Sequence, residues 1–331
     1  MNFKRITAGL AAILVVCGLT GCQNNTDPAE KIRLCEVTHS IFYAPQYVAL
    51  EKGFFAKEGL DVELSNGGGA DKVMSAVLSD HIDIGFAGPE ASIYVYNEGK
   101  EDFTQVFAQV TKRDGSFLVG RNAEPDFKWQ NLADKHILPG RKGGVPYMAF
   151  EHALRQNGMN PAKDVLLDTS IQFDNMTGAF IGGTGDYVTL FEPTASSLEA
   201  EGKGHIVAAV GDVAGDIPYT AYFAKKSYLD THADQIQRFT NAVYRGQQWV
   251  ASHSASEVAQ AIQPQFPDTN LDVLTSAIQR YQDIGAYSET PVMTEDSFDR
   301  LQTVMQEAGE LELAAPFTEI VNNSFAEKAA A

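Results

Sequence analysis

The stretch IRLCEVTHSIFYAPQYVALEKGFFAKEGLDVEL, residues 32–64, decides the fold. Residues 32–37 are an apolar run of strand length. Residues 45–52 then carry Tyr47, Val48 and Leu50 in a helix-like stretch that ends at Gly53. Residues 61–64 alternate apolar and polar, as a half-buried strand does. A strand, a helix and a second strand within 33 residues is a βαβ unit.

The pattern continues outward. Residues 70–79 place Val73, Ala76 and Val77 on one helical face, 82–86 read as a third strand, 92–97 open a helix, and 104–111 read as a fourth strand. This order predicts an α/β domain with a largely parallel sheet. A second unit begins near 117–119. It includes the Gly-rich 139–145, a helix over 147–156, and strand candidates at 165–168, 188–191 and 206–210. Strand 221–224 follows. After Tyr228 the chain turns helical, with 230–250, 257–262, 271–284 and 297–308 as helices. The only low-complexity segment is the alanine-rich tail. Chain crossings near 112–115 and 213–219 divide the chain into a discontinuous lobe, 31–113 plus 217–331, and a second lobe, 114–216.

Composition supports two globular units. The chain has 331 residues, 44% hydrophobic and 21% charged. A length of ~150 residues per domain allows about two domains. The formal charge of −18 repels phosphate backbones and argues against nucleic acid, while leaving room for an anionic small ligand inside a cleft. Three cysteines cannot form a disulfide framework. The seven histidines show no metal-binding spacing, so no metal or cofactor is expected.

The N-terminus reads as an export signal. Lys4 and Arg5 precede a short apolar stretch, 7–18, too short for a stable span. Leu19-Thr20-Gly21-Cys22 resembles the bacterial lipobox, which implies acylation of Cys22 and cleavage before it. Residues 22–30 then form a tether. Processing leaves 310 residues and takes the formal charge from −18 to −20. Two or three acyl chains anchor stably where one does not. The expected location is the outer face of a bacterial cytoplasmic membrane. Cys17 is removed, and Cys35 reads as a core residue.

Four segments together resemble a family. HSIFYAPQYVALEKGFFAKEGLDVEL (39–64), GGGADKVMSAVLSDHIDIGFAGPEAS (67–92), GGVPYMAFEHALRQNGMNPAKDV (143–165) and GTGDYVTLFEPTAS (184–196) resemble NMT1/THI5-like and SsuA-like solute-binding proteins. The resemblance spans about 31–250. It implies a type II periplasmic-binding-protein fold, two α/β lobes with a cleft between them. It also implies a monomeric receptor that closes on a small solute and delivers it to the permease and ATPase of an ABC importer.

Candidate ligand contacts fall on loops after strands. Ser40, Phe42 and Tyr43 follow the first strand, where the aromatics either stack on ligand or pack the lobe. Gly68 and Gly69, and likewise Gly144, precede helices, where backbone N–H groups can face a ligand or simply form a turn. Gly88, Pro89 and Glu90 follow the third strand, and Glu90 either accepts from an amine edge or caps the next helix. Tyr147 stands opposite. Asp186, Tyr187 and Glu192 come from the return strand, where alternation puts Tyr187, Thr189 and Phe191 on one face. Glu192 among apolar residues calls for a partner, either an N–H-bearing ligand or a structural base. Arg141 and Lys142 beside Gly143 either attract an anion or form a solvated turn.

These residues favour a nitrogen heterocycle such as a thiamine pyrimidine precursor, with a sulfonate, taurine or nitrate as rival and riboflavin also compatible. A sensory lipoprotein without an importer is a further alternative. Pyrimidine-synthesising relatives carry a C-C-C-F-C motif absent here, and no G-x-S-x-G elbow occurs, so no catalytic residues and no enzymatic activity are expected.

Overall fold

The computed structural model describes residues 29–331. The lipobox and Cys22 lie outside the described residues. Ten strands form two five-stranded sheets: β1 (Glu30–Glu36), β2 (Leu60–Asn66), β3 (Ile84–Ala87), β4 (Thr104–Thr111), β5 (Phe117–Gly120), β6 (His136–Leu138), β7 (Leu166–Leu167), β8 (Tyr187–Leu190), β9 (His205–Ala209) and β10 (Thr220–Lys225). The first sheet runs β2-β1-β3-β10-β4 and the second β7-β6-β8-β5-β9.

Both sheets are mixed, which corrects the expected largely parallel arrangement. In the first, β1 pairs in parallel with β2 and β3, but β10 is antiparallel to β3 and β4. In the second, β6 is parallel to β7 and β8, and β5 is antiparallel to β8 and β9. The reason is the crossing. The strand that enters each sheet from the other one arrives at the hinge end and must run back against its neighbours. The outgoing and returning segments lie side by side: Val210 N–H donates to Ser116 O at 3.0 Å, Ile217 to Lys112 O at 2.9 Å and Tyr219 to Thr111 O at 3.1 Å.

Helices cover the sheets for the reasons their spacing foretold. Helix Ala70–Leu78 buries Val73, Met74 and Val77, one turn apart. Helix Val145–Gln156 starts with Pro146 in its first turn, where the missing N–H costs nothing, and buries Met148, Phe150 and Leu154. The expected 230–250 helix is broken at His232 into Lys226–Thr231 and Ala233–Ser252. Ala233–Ser252 packs on helix Ala44–Glu51, where Gly246 lets the backbones meet: a Cβ there would stand 2.2 Å from Pro45 O.

Several elements escaped the sequence reading. Strand β6 has three residues, below the length at which periodicity is readable, whereas the two-residue β7 lies within the strand expected at 165–168. Helices Met176–Ile181 and Thr194–Ala200 are short as well. The alanine-rich tail forms helix Ser324–Ala330, which buries Phe325 and Ala326 and accepts a bond from Gln237 Nε2 at Phe325 O, 3.0 Å. Among the described residues no helix is long and apolar enough to cross a membrane.

Candidate functional site

Loops at the carboxyl ends of β1, β2 and β3 face loops after β6 and β8 across a cleft. Strand ends of this kind leave backbone groups and side chains free to line a crevice. The main chamber encloses about 590 Å³, part of it open to solvent. Four aromatic side chains, Tyr43, Phe173, Phe191 and Tyr219, wall it. Three helices begin at it: Gly69 precedes Ala70–Leu78, Gly88 and Pro89 precede Glu90–Asn97, and Gly144 precedes Val145–Gln156. Their first N–H groups carry partial positive charge toward the cleft.

Glu90 is the one acid that lines this chamber. It is 3% exposed, and its Oε2 has no hydrogen-bond partner. Burial pushes its carboxyl up to about 7, against the opposing pull of Arg141 and of nearby backbone N–H groups. Gly88 is needed beside it, since a Cβ there would lie 2.0 Å from Glu90 Oε2. Arg141 lines the opposite side and reaches Asp71 only at 3.9 Å.

A second chamber of about 370 Å³ adjoins the first. Ser40 and Glu192 line it. The Glu192 carboxylate accepts from Ser196 N–H at 2.9 Å, Ser196 Oγ at 2.7 Å and Arg280 Nη1 at 2.7 Å. Its partner is therefore Arg280, from helix Leu271–Asp283. His39 stands nearby with Nδ1 2.7 Å from Glu36 Oε1 and Nε2 2.8 Å from Gln265 O. Burial pulls the His39 pKa down, but the Glu36 carboxylate and the Gln265 carbonyl more than reverse this and hold it above 6.5.

Of the candidate residues, Tyr43, Gly69, Gly88, Glu90 and Gly144 line the main chamber, and Ser40 and Glu192 the second. The others lie elsewhere. Phe42 is fully buried, 5.0 Å from the Tyr281 ring and against Gly115, so it packs the two units instead of facing the cleft. Gly68 sits beside Asp174 and Lys72 at the rim. Pro89 sits at the start of helix Glu90–Asn97 without lining the chamber. Tyr147 turns along its own helix, donating to Glu151 Oε1 at 2.8 Å.

Asp186 and Tyr187 stand at the wrong end of β8. Asp186 accepts from His136 N–H at 2.9 Å, and Tyr187 donates to Glu124 within the core of the second unit. Three steps of roughly 3.3 Å separate Tyr187 from the strand end that faces the cleft. The expected alternation also stops there: β8 ends at Leu190, and Thr189, Leu190, Phe191 and Glu192 all border the second chamber.

Sequence reading missed Thr38, Phe173, Tyr219 and Thr220 as lining residues. Tyr219 and Thr220 sit on the returning crossing, where a position next to the cleft follows from antiparallel pairing with Thr111. Arg141 was visible only as a base beside Gly143. Among the described residues no group of three or more His, Cys, Asp and Glu is placed to hold a metal ion.

Two mixed α/β units, paired crossings and a cleft at the strand ends define a type II periplasmic-binding-protein fold. The chain belongs to the NMT1-like family, whose model matches residues 30–263. It is 44% identical over 321 residues to a Bacillus subtilis (strain 168) protein named as a binding protein, YtlA, covering 97% of this chain and 96% of that one. The alkanesulfonate-binding protein SsuA of Xanthomonas axonopodis, bound to MOPS, superposes with a TM-score of 0.72 at 13% identity, over 90% of this chain and 99% of that one. The nitrate-binding protein NrtA of Synechocystis superposes with a TM-score of 0.71 at 17% identity, over 91% and 88%. At such identities the superpositions establish the fold. These relatives are named as binding proteins.

Proposed function

We propose that the chain is the extracytoplasmic solute receptor of an ABC importer, held at the membrane through acylated Cys22. Its two lobes, 31–113 plus 217–331 and 114–216, close on the solute, and a permease with its ATPase receives it. Ligand contacts both lobes only when they are closed, so binding shifts the open–closed population toward closure. The solute is a small flat heterocycle bearing N–H groups, such as an aminopyrimidine of the thiamine-precursor type.

The observation that carries this reading is Glu90. A carboxyl oxygen without a partner, buried among Tyr43, Phe173, Phe191 and Tyr219, invites an N–H donor on a ring that stacks. A buried unpaired acceptor is costly, and a ligand N–H removes that cost.

A second reading is favoured by Arg141 together with the helix starts at Gly69 and Gly144, which suit a sulfonate or nitrate. It leaves Glu90 facing an anion, which would require its proton to stay on. A thermal-shift panel on residues 23–331, refolded free of carried ligand, separates the two. A ligand at 100 times its Kd stabilises by ~2.7 kcal/mol, or about 5–10 °C. A shift with aminopyrimidines and none with alkyl sulfonates, taurine or nitrate supports the first reading. The reverse result overturns it and moves the site to Arg141.

A further inference from the structure

The main and second chambers share Thr38, Phe173 and Phe191 as lining residues, so an arm on a ligand held in the first lies next to the second. Five of the eleven residues that line the second chamber carry hydroxyls: Thr38, Ser40, Thr177, Thr189 and Thr194. Ser40 is committed, donating to Glu192 O at 2.7 Å. The four threonine hydroxyls form no hydrogen bond with another described residue. A hydroxyl both donates and accepts, which matches an uncharged polar group.

The charges around this chamber are closed on one another. Both ring nitrogens of His39 face acceptors, Glu36 Oε1 and Gln265 O, and only a doubly protonated ring donates to both. That ring is paired with Glu36 and has no N–H left to offer. Arg280 is likewise spent on Glu192, with Glu199 at 3.3 Å as a second acid. Among the described residues that line this chamber, an entering anion would meet acids already matched and no unpaired cation. Stripping its water there is costly.

We propose that the second chamber is a subsite for an uncharged hydroxyl- or amide-bearing arm on the ligand's heterocyclic head, and that it rejects a phosphate or sulfonate arm. This rests on the heterocycle reading of the main chamber. Specificity then has two parts: the head is chosen at Glu90, and the arm by the threonines.

Calorimetry on the full chain in detergent tests this with three probes: 4-amino-2,5-dimethylpyrimidine, its 5-hydroxymethyl counterpart, and the phosphate ester of that alcohol. The alcohol is expected to bind roughly tenfold tighter than the armless ring, the scale of one or two new hydrogen bonds, and the ester at least roughly tenfold weaker than the alcohol. Thr177→Val and Thr189→Val each erase most of the alcohol's advantage while leaving the armless ring unchanged. Thr177→Lys, at a half-buried position, shifts preference toward the ester. If the armless ring binds but alcohol and ester bind equally well, or both valine variants keep the full advantage, the subsite is overturned and the head reading stands. If no pyrimidine binds, the head reading falls and the arm subsite falls with it.

Discussion

The hydroxyl of Ser40 donates to the backbone carbonyl of Glu192 at 2.7 Å across 152 positions of sequence. Ser40 follows β1 in the first sheet, and Glu192 follows β8 in the second, so this bond ties the two units together at the cleft. Tyr94 makes a similar tie, donating to Gly143 O at 3.0 Å. Bonds of this kind exist only while the units are apposed, so they favour that arrangement.

Ser40→Ala should therefore weaken ligand binding about fivefold, the effect of one hydrogen bond of ~1 kcal/mol lost from the closed state. The same hydroxyl accepts from Phe42 N–H at 3.2 Å, so unfolding free energy should also fall by ~1 kcal/mol. Calorimetry and urea unfolding read the two effects. Unchanged affinity in the variant would mean that the bond contributes nothing to closure.

Arg280→Met should destabilise the fold by about 2–3 kcal/mol. Breaking a fully buried pair costs ~3–5 kcal/mol; here the Glu192 side chain is 0% exposed but Arg280 is 33% exposed, which tempers the loss. Ser196 still satisfies part of the carboxylate. The double variant Glu192→Gln with Arg280→Met should recover most of the loss in urea titrations. A double variant no better than Arg280→Met would show that the cost lies in packing.

Glu90 makes stability depend on pH with a definite sign. Its folded carboxyl holds the proton up to about 7, against an ordinary 4.5. A raised acid binds its proton more tightly when folded, so its contribution favours folding at low pH and is lost as pH rises from 4.5 through about 7. Glu90→Gln should flatten that part of the stability profile and weaken an aminopyrimidine at least roughly tenfold. Thermal melts of the ligand-free protein between pH 4.5 and 8 check the first effect. A profile parallel to that of the wild type would place the titration on another group.

His39 acts in the same direction higher up the scale. Its folded pKa lies above 6.5, so its contribution is present below 6.5 and is lost as pH rises through the folded value. His39→Gln should lose less stability than the wild type between pH 6.5 and 9, measured by urea midpoint. Equal losses would show that Glu36 is held as well by Gln46 and Tyr47, at 2.8 and 2.7 Å, without the ring charge.

Gly246→Ala should cost about 1–3 kcal/mol although alanine is the better helix former by ~1 kcal/mol. The new Cβ would lie 2.2 Å from Pro45 O, and helices Ala44–Glu51 and Ala233–Ser252 would have to part. Ligand affinity should hold, because neither Pro45 nor Gly246 lines either chamber. Calorimetry beside urea unfolding distinguishes a packing effect from one on binding.

The sequence by itself determined the order of the longer strands and helices, because apolar spacing records which face of each segment is buried. It also put glycines, an acid and aromatics on the loops after β1, β2 and β3 and on the Gly-rich 139–145 as candidates to face a cleft. Tyr43, Gly69, Gly88, Glu90 and Gly144 were legible because each follows a strand directly or opens a helix. Tertiary structure alone decided the direction of β5 and β10, since antiparallel pairing across the hinge has no local signal. It decided that Phe42, Tyr147, Asp186 and Tyr187 turn to protein partners, because an aromatic or acid that meets a neighbour has the same spelling as one that meets a ligand. It also gave Glu192 its base, Arg280, 88 positions away, and left Glu90 without one. Distant pairing of this kind arises only when the two units meet, and it separates the acid that is matched within the fold from the acid left with an unpaired oxygen, for which we propose a ligand.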